Sequence, residues 1–167
     1  MFQVAKDKQL PLDTYCYTGA IDACAKANDG QKAINLLDEM NAKGIKPSSV
    51  TYSAVITACG NSGEWRKAMD MLDVMKTKKM SINLITYNSA ITALSKAAKQ
   101  FSPRSQADTQ LWKKVLSILE SIHGDGLEPD GFTYSAAITC YGAEGRWEET
   151  LELIKMMQRG GAKTKPN

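Results

Sequence analysis

Apolar residues recur along this chain with the period of an α-helix. In residues 50–61 they are spaced i, i+3, i+4 and i+7, which is the spacing of one helix face. Gly63 follows, a residue suited to a helix C-cap, and residues 64–78 then show a second helical face. The apolar positions of the two segments are Tyr52, Val55, Ile56 and Cys59, then Trp65, Ala68, Met69, Leu72 and Met75. The pattern predicts two helices joined by a short turn.

This predicted helix pair occurs four times in the chain. Related octapeptide openings start at Thr14, Ser49, Leu84 and Gly131, so the first two intervals are 35 residues and the third is 47, a period plus a twelve-residue insertion. A fixed period of this size predicts an all-α solenoid of helix-turn-helix repeats, with nine helices or helix fragments in total. The predicted divisions are a C-terminal half repeat at 1–13 and repeats at 14–48, 49–83, 84–130 (insertion at 99–110) and 131–167.

The composition indicates a folded chain without a metal or disulfide framework. Of 167 residues, 43% are hydrophobic, and the formal net charge of +3 permits an anionic partner without requiring one. The four cysteines, which form no CxxC motif and have no nearby histidine, indicate a reduced compartment. Two of them, Cys24 and Cys59, share one repeat position and are expected to be buried apolar residues.

Neither catalysis nor membrane insertion is expected. The only histidine is His123, which lies in a predicted turn, and no Gly-rich phosphate loop or recurring pair of carboxylates is present. No cofactor or metal is therefore expected. No apolar run approaches the roughly 20 residues that a membrane-spanning helix requires. Helix-spaced aromatic, Met and Leu residues, including Trp65, Trp112 and Trp147, are interpreted as core.

The first helix of each pair differs from the second in charge. Residues 50–59, 84–94 and 132–142 contain no charged side chain, and their polar residues are Ser, Thr and Asn. Nearly all Lys, Glu and Asp residues lie in the second helices, which are expected to form the solvated layer. The uncharged first helices either line a concave surface that contacts a ligand or are simply buried by their neighbours.

These patterns resemble those of the pentatricopeptide repeat family. The resemblance lies in the period of 35, a V-T-Y-[NST]-x-x-I opening, a G-x-W/L-x-x-A start of the second helix and a K-G-I-K-P-[DNS] close. It covers nearly the whole chain. It implies a right-handed α-solenoid that binds single-stranded RNA at about one base per repeat. It also implies an organelle, either the mitochondrion or the chloroplast, and a role in RNA processing, stability or translation.

In that family, the fifth residue of each first helix and the last residue of the repeat together read a base. The resemblance assigns adenine to Ser53 with Asn83, and uracil to Asn88 with Asp130. Thr18 with Ser48 departs from the common pairs and is assigned no base. The fourth pair, Ser135 with Asn167, is again assigned adenine, although its repeat is two residues longer than standard.

The resemblance assigns two further sets of residues. The second position of each first helix sandwiches the bases and holds Tyr15, Val50, Ile85 and Phe132. Plain packing between repeats is the alternative explanation for this set. A position near the end of the first helix meets phosphates, and it holds Lys26 and Lys96 but the uncharged Asn61 and Ala143 in the other two repeats.

The sequence also suggests an incomplete array. Residues 1–13 resemble the ends of later repeats and not a targeting peptide, so the chain is expected to begin inside a repeat of a longer array. Apolar surfaces are expected at both ends, around Phe2 and Val4 and around Leu153 and Met157, with self-association as a consequence. The alternative to an RNA-binding module is a helical scaffold that binds proteins.

Overall fold

The computed structural model describes residues 13–100 and 110–161 and consists there of α-helices joined by short turns. Eight helices are present in these residues. They are α1 (Thr14–Lys26), α2 (Gly30–Ala42), α3 (Ser49–Ser62), α4 (Trp65–Thr77), α5 (Leu84–Gln100), α6 (Leu111–Gly124), α7 (Gly131–Ala143) and α8 (Trp147–Gly161). The predicted half repeat before Thr14 lies outside the described residues.

In the described residues, the residue that directly precedes each first helix caps that helix. Side-chain oxygens of Asp13, Ser48 and Asp130 accept the backbone N–H three residues later, in α1, α3 and α7. Asn83 does the same for α5, where its Oδ1 accepts the N–H of Thr86 at 2.9 Å. Short polar side chains satisfy otherwise unpaired N–H groups at these helix starts, which stabilises each helix by about 1 kcal/mol.

Two turns show how the helix boundaries arise. Gly63 ends α3 in the left-handed conformation at φ 82°, as its C-cap assignment predicted. Helix α5 runs to Gln100 and so includes Lys99 and Gln100, the first two residues of the expected insertion. Both are good helix formers and no glycine precedes them, so nothing local stops the helix earlier. The rest of that insertion up to residue 109 lies outside the described residues.

The chain divides into two compact units, Met1–Ile82 and Asn83–Asn167. In the first unit, α1 and α3 pack on each other and on the second helices α2 and α4. In the second unit, α5 and α7 pack in the same way on each other and on α6 and α8. The first helices are therefore the inner layer of each unit. Three of their isoleucines, Ile21, Ile56 and Ile91, are fully buried.

Burial confirms the role assigned to two cysteines. Cys24 and Cys59 are both buried, as is Cys140, whereas Cys16 is exposed. Burial raises the pKa of the Cys59 and Cys140 thiols to about 12, because a thiolate is poorly solvated there. These residues therefore behave as small apolar side chains.

The last helix corrects two predictions. Trp147 is 67% exposed, although its matching residue Trp112 lies against Tyr141 and Arg146. Leu153, expected on an exposed end, is only 5% exposed because it packs inside the hairpin of α7 and α8. Met157 is exposed as expected, while Phe2 and Val4 lie outside the described residues. In the part of the chain that the structure describes, no helix has the length and apolar character needed to cross a membrane.

Candidate nucleic-acid interface

Large apolar side chains are exposed at the second position of every first helix. Tyr15 is 85% exposed, Val50 64%, Ile85 70% and Phe132 58%. Packing between repeats therefore does not explain why this position is apolar. Exposed apolar groups in register are typical of a surface that a ligand covers, since leaving them in water is unfavourable.

The candidate pair of the first repeat is linked through a third residue. The Thr18 hydroxyl forms a hydrogen bond of 2.7 Å with the hydroxyl of Thr51, which is fully buried in α3. The Thr51 hydroxyl also lies 3.0 Å from the hydroxyl of Ser48. It also accepts the backbone N–H of Ser48 at 3.1 Å, which completes a capping box at the start of α3. The structure thus joins Thr18 and Ser48 through one buried hydroxyl.

The candidate pair of the third repeat has the same arrangement with different chemistry. Asn88 Nδ2 donates to both carboxylate oxygens of Asp130, at 3.3 and 3.4 Å. The buried hydroxyl of Thr133 donates to Asn88 Oδ1 at 2.6 Å and lies 2.8 Å from Asp130 Oδ1. The backbone N–H of Thr133 also donates to Asp130 Oδ1, at 2.8 Å. Three side chains from two successive repeats are therefore in mutual contact.

These contacts keep Asp130 ionised. Partial desolvation raises its pKa, but the hydrogen bonds from the Thr133 backbone and the Asn88 amide outweigh that effect. The pKa of Asp130 consequently lies below its usual value. At neutral pH the side chain is an acceptor only.

The other two candidate pairs are seen only in part. Asn83 accepts the Thr86 hydroxyl at 2.8 Å, so the contact between cap and threonine recurs in α5. Ser53 is half-buried in α3, which belongs to the other compact unit. The Ser135 hydroxyl donates to the carbonyl of Gly131 at 2.7 Å, within its own helix. Asn167 lies outside the described residues.

The four positions assigned to phosphate contacts differ in structure. Lys26 is exposed and forms an ion pair of 2.8 Å with Asp22, one helical turn earlier. Lys96 is half-buried near the end of α5, and Ala143 ends α7. Asn61 has a structural role, because its Nδ2 donates to the carbonyl of Ala25 at 2.9 Å and so ties α3 to the end of α1.

Sequence reasoning missed the threonine at the third position of the first helix. Thr51, Thr86 and Thr133 are buried polar residues, and each bonds the residue that caps its helix. Each of these threonines directly precedes a tyrosine. This repeated Thr-Tyr is visible in the sequence and would have identified them. The first repeat differs, since it has the exposed Cys16 at this position, and the backbone N–H of Cys16 donates to Asp13.

Known structures share this fold. The pentatricopeptide repeat protein PPR10, solved in complex with an 18-nt psaJ RNA element, superposes with a TM-score of 0.71 at 23% identity, over 99% of this chain and 22% of that one. The PPR domain of Arabidopsis thaliana protein-only RNase P 1, solved in complex with tRNA, gives a TM-score of 0.75 at 11% identity, over 99% of this chain and 80% of that one. The predicted all-α solenoid fold is thereby confirmed.

Sequence comparison gives the family. A putative pentatricopeptide repeat-containing protein of Arabidopsis thaliana is 34% identical over 64 residues, which are 38% of this chain and 19% of that protein. The chain thus spans only a small part of the length of this relative. A model of the pentatricopeptide repeat domain matches residues 1–62 and 35–97, and a model of the single PPR repeat matches residues 132–161. Because these matches cover well over half of its residues, the chain belongs to the pentatricopeptide repeat family.

Proposed function

We propose that this chain is a sequence-specific module that binds single-stranded RNA, as part of a longer array in mitochondria or chloroplasts. Its role there is in RNA processing, stability or translation. The two solved structures compared above have RNA bound, and the family resemblance points the same way. The observation that carries the proposal is the combination, on one helix, of an exposed apolar residue and a polar residue linked to the last residue of its repeat.

The residues of the third repeat illustrate this combination best. Ile85 and Asn88 are three positions apart on α5 and so share a face of the helix. Phe132, at the start of α7, follows Asp130 by two residues and is also exposed. Ile85 and Phe132 sandwich a base, while Asn88 and Asp130 meet its edge. Stacking on such groups stabilises binding by about 1–3 kcal/mol per base.

The donors and acceptors of this pair match uracil. With its oxygen bonded to Thr133, the Asn88 amide offers a donor, and the Asp130 carboxylate offers an acceptor. Uracil presents the complementary O4 acceptor and N3–H donor on its Watson–Crick edge. Cytosine reverses this order, with an amino donor beside a ring nitrogen that accepts. The pair therefore reads uracil and rejects cytosine.

The other assigned residues complete the proposed interface. Ser53 with Asn83 reads adenine on the 5′ side of that uracil, and Ser135 with Asn167 reads a second adenine. Tyr15 and Val50 sandwich the base that Thr18 and Ser48 meet. Lys26 and Lys96 contact phosphates, so binding weakens as the salt concentration rises.

A competition assay on the Asn88→Thr variant tests this function. Guanine presents the same O6 acceptor and N1–H donor order as uracil but is larger, and threonine is shorter than asparagine and leaves room for it. The family code likewise assigns guanine to Thr with Asp. We expect the variant to change the preferred base at its position from uracil to guanine. Fluorescence anisotropy with single-stranded RNAs that differ at this one base measures the ranking.

The matched control is Asn35→Thr, the same chemical change on the second helix α2, where the Asn35 side chain is exposed and bonds Gln31. It should leave the ranking of bases unchanged. Duplex DNA and an acidic peptide serve as competing ligands. Equal binding of all RNA sequences by the wild-type chain, or an unaltered ranking in Asn88→Thr, would contradict the proposal, and displacement by the peptide would favour a protein scaffold.

A further inference from the structure

The hydroxyl oxygen of Thr133 is a buried polar atom of the second unit with three close polar neighbours. It lies 2.6 Å from Asn88 Oδ1, 2.8 Å from Asp130 Oδ1 and 3.1 Å from the backbone nitrogen of Asp130, which donates to it. Thr133 itself is fully buried and so cannot contact RNA. It nevertheless touches both side chains of the candidate pair, and it belongs to the following repeat.

The contacts of the Asn88 amide differ in strength. Its nitrogen lies 3.3 and 3.4 Å from the Asp130 carboxylate oxygens, which are long for hydrogen bonds, whereas its oxygen lies only 2.6 Å from Thr133. The hydroxyl contact is therefore the stronger restraint on the position of the amide. Because a hydroxyl both donates and accepts, it cannot by itself decide which end of the amide it holds.

Asp130 decides that orientation. An ionised carboxylate only accepts, so it attracts the amide nitrogen and would repel the amide oxygen. Thr133 then holds the oxygen, which accepts its hydroxyl hydrogen. An amide nitrogen carries two hydrogens, so after one is directed at Asp130 the other remains available to a base. Asp130 thus favours this orientation of the amide, and Thr133 restrains the amide in it.

We propose that Thr133 is a positioning residue that sets base selectivity in the preceding repeat, by holding the Asn88 amide so that it presents a hydrogen and not its oxygen. This role rests on the RNA binding proposed above. Without the hydroxyl, the amide keeps only its two long contacts with Asp130 and turns more freely. A turned amide presents its oxygen, which accepts the amino group of cytosine. Loss of Thr133 therefore weakens the discrimination between uracil and cytosine.

The first unit contains an equivalent arrangement. Thr51 is buried at the same helix position and lies within 3.0 Å of both Thr18 and Ser48 through its hydroxyl. Thr51 and Thr133 complete the same type of capping box, at the starts of α3 and α7. The same substitution at Thr51 therefore reproduces the loss of a cap while leaving Asn88 and Asp130 untouched.

The test compares Thr133→Val, Thr133→Ser and Thr51→Val. Valine keeps the shape of threonine without the hydroxyl, and serine keeps the hydroxyl. We expect Thr133→Val to lower the ratio of uracil to cytosine affinity at the Asn88 position about fivefold, the effect of one hydrogen bond. Thr133→Ser should retain the wild-type ratio. Thr51→Val should lower the melting temperature to a similar extent as Thr133→Val without changing that ratio.

A fourth variant and a second measurement complete the test. Thr133→Cys supplies only a weak donor and has a precedent in Cys16, which occupies this helix position in the first repeat. It should reduce the ratio by less than valine does. In the RNA-free chain, the side-chain amide NMR signals of Asn88 should shift in Thr133→Val and remain in place in Thr133→Ser and Thr51→Val.

The outcomes separate this role from the proposed function. Equal loss of uracil and cytosine affinity in Thr133→Val would overturn the positioning role and leave RNA binding intact. A wild-type chain without any base preference would overturn the proposed function and this selectivity together. Unchanged Asn88 amide signals in Thr133→Val would overturn the positioning role whatever the RNA results are.

Discussion

The linked pairs of the first and third repeats are both joined through a buried threonine, but they differ in electrostatic character. In the first repeat, Thr18, Thr51 and Ser48 form a chain of three hydroxyls, each of which donates or accepts. In the third repeat, an amide and an acceptor-only carboxylate flank the central hydroxyl of Thr133. Under the proposed function, a polar group at the right place is not enough for base selection, and a group of fixed polarity is needed to orient it.

This difference gives a physical reason why the first pair has no assigned base. Hydroxyl hydrogens reorient at little cost. The Thr18 and Ser48 pair can therefore match either order of donor and acceptor on the Watson–Crick edge of a base. The Asn88 and Asp130 pair is held in one order, because Thr133 bonds the amide oxygen and the Asp130 carboxylate attracts the amide nitrogen. The first pair should therefore tolerate several bases, and the third pair should discriminate among them.

The largest effect is expected from the feature that both sites share, the exposed apolar groups. Replacing Phe132 with alanine removes a stacking surface next to the third pair and should lower RNA affinity about tenfold for every base at that position. Tyr15→Ala should act likewise at the first pair. Leu116→Ala is the control, because Leu116 is also exposed but lies on the second helix α6. Anisotropy titrations measure all three, and a changed base ranking in Phe132→Ala would contradict a purely stacking role.

A double variant that gives the first repeat the amide and the carboxylate of the third repeat tests the comparison directly. In the double variant Thr18→Asn with Ser48→Asp, the buried hydroxyl of Thr51 is already in place as the central partner. Aspartate also caps α1 and α7, so the start of α3 should remain intact. We expect the first repeat to gain about a fivefold preference for uracil over cytosine.

The single variants Thr18→Asn and Ser48→Asp are the controls for the transplant, and competition with RNAs that differ at one base measures the preference. Each single variant should gain less than the double variant does. A double variant that remains folded by circular dichroism yet binds all bases alike would show that fixed polarity is not the cause of selectivity.

The smallest effect is expected at the position assigned to phosphate contacts. In the first repeat this position holds Lys26, which forms an ion pair. Lys26 is held by Asp22 at 2.8 Å, and this hydrogen bond and the carboxylate charge raise the pKa of Lys26. Asp22→Ala should release the ammonium group and strengthen RNA binding about twofold at low salt, with a steeper salt dependence. Lys26→Ala should weaken all sequences alike. Equal affinities of Asp22→Ala and the wild-type chain across a salt series would exclude a phosphate contact by Lys26.

Much of the fold follows from local sequence patterns. The helix spacing and Gly63 each predict a boundary that the structure confirms. Helix α5 extends into the expected insertion, where its residues favour a helix. Trp147 was assigned to the core because it matches Trp65, but a side chain is buried only by what packs on it. For Trp112 these residues are Tyr141 and Arg146, which come from the next hairpin.

By itself, the sequence determined the period, the helix pairs, their capping residues and which positions carry polar or apolar groups. These features depend on contacts between residues a few positions apart, which a linear pattern records. Only the tertiary structure decided that Ile85 and Phe132 are exposed and that Thr133 links Asn88 to Asp130. These partners lie about one repeat apart in the chain, and their distances depend on how successive helix pairs pack.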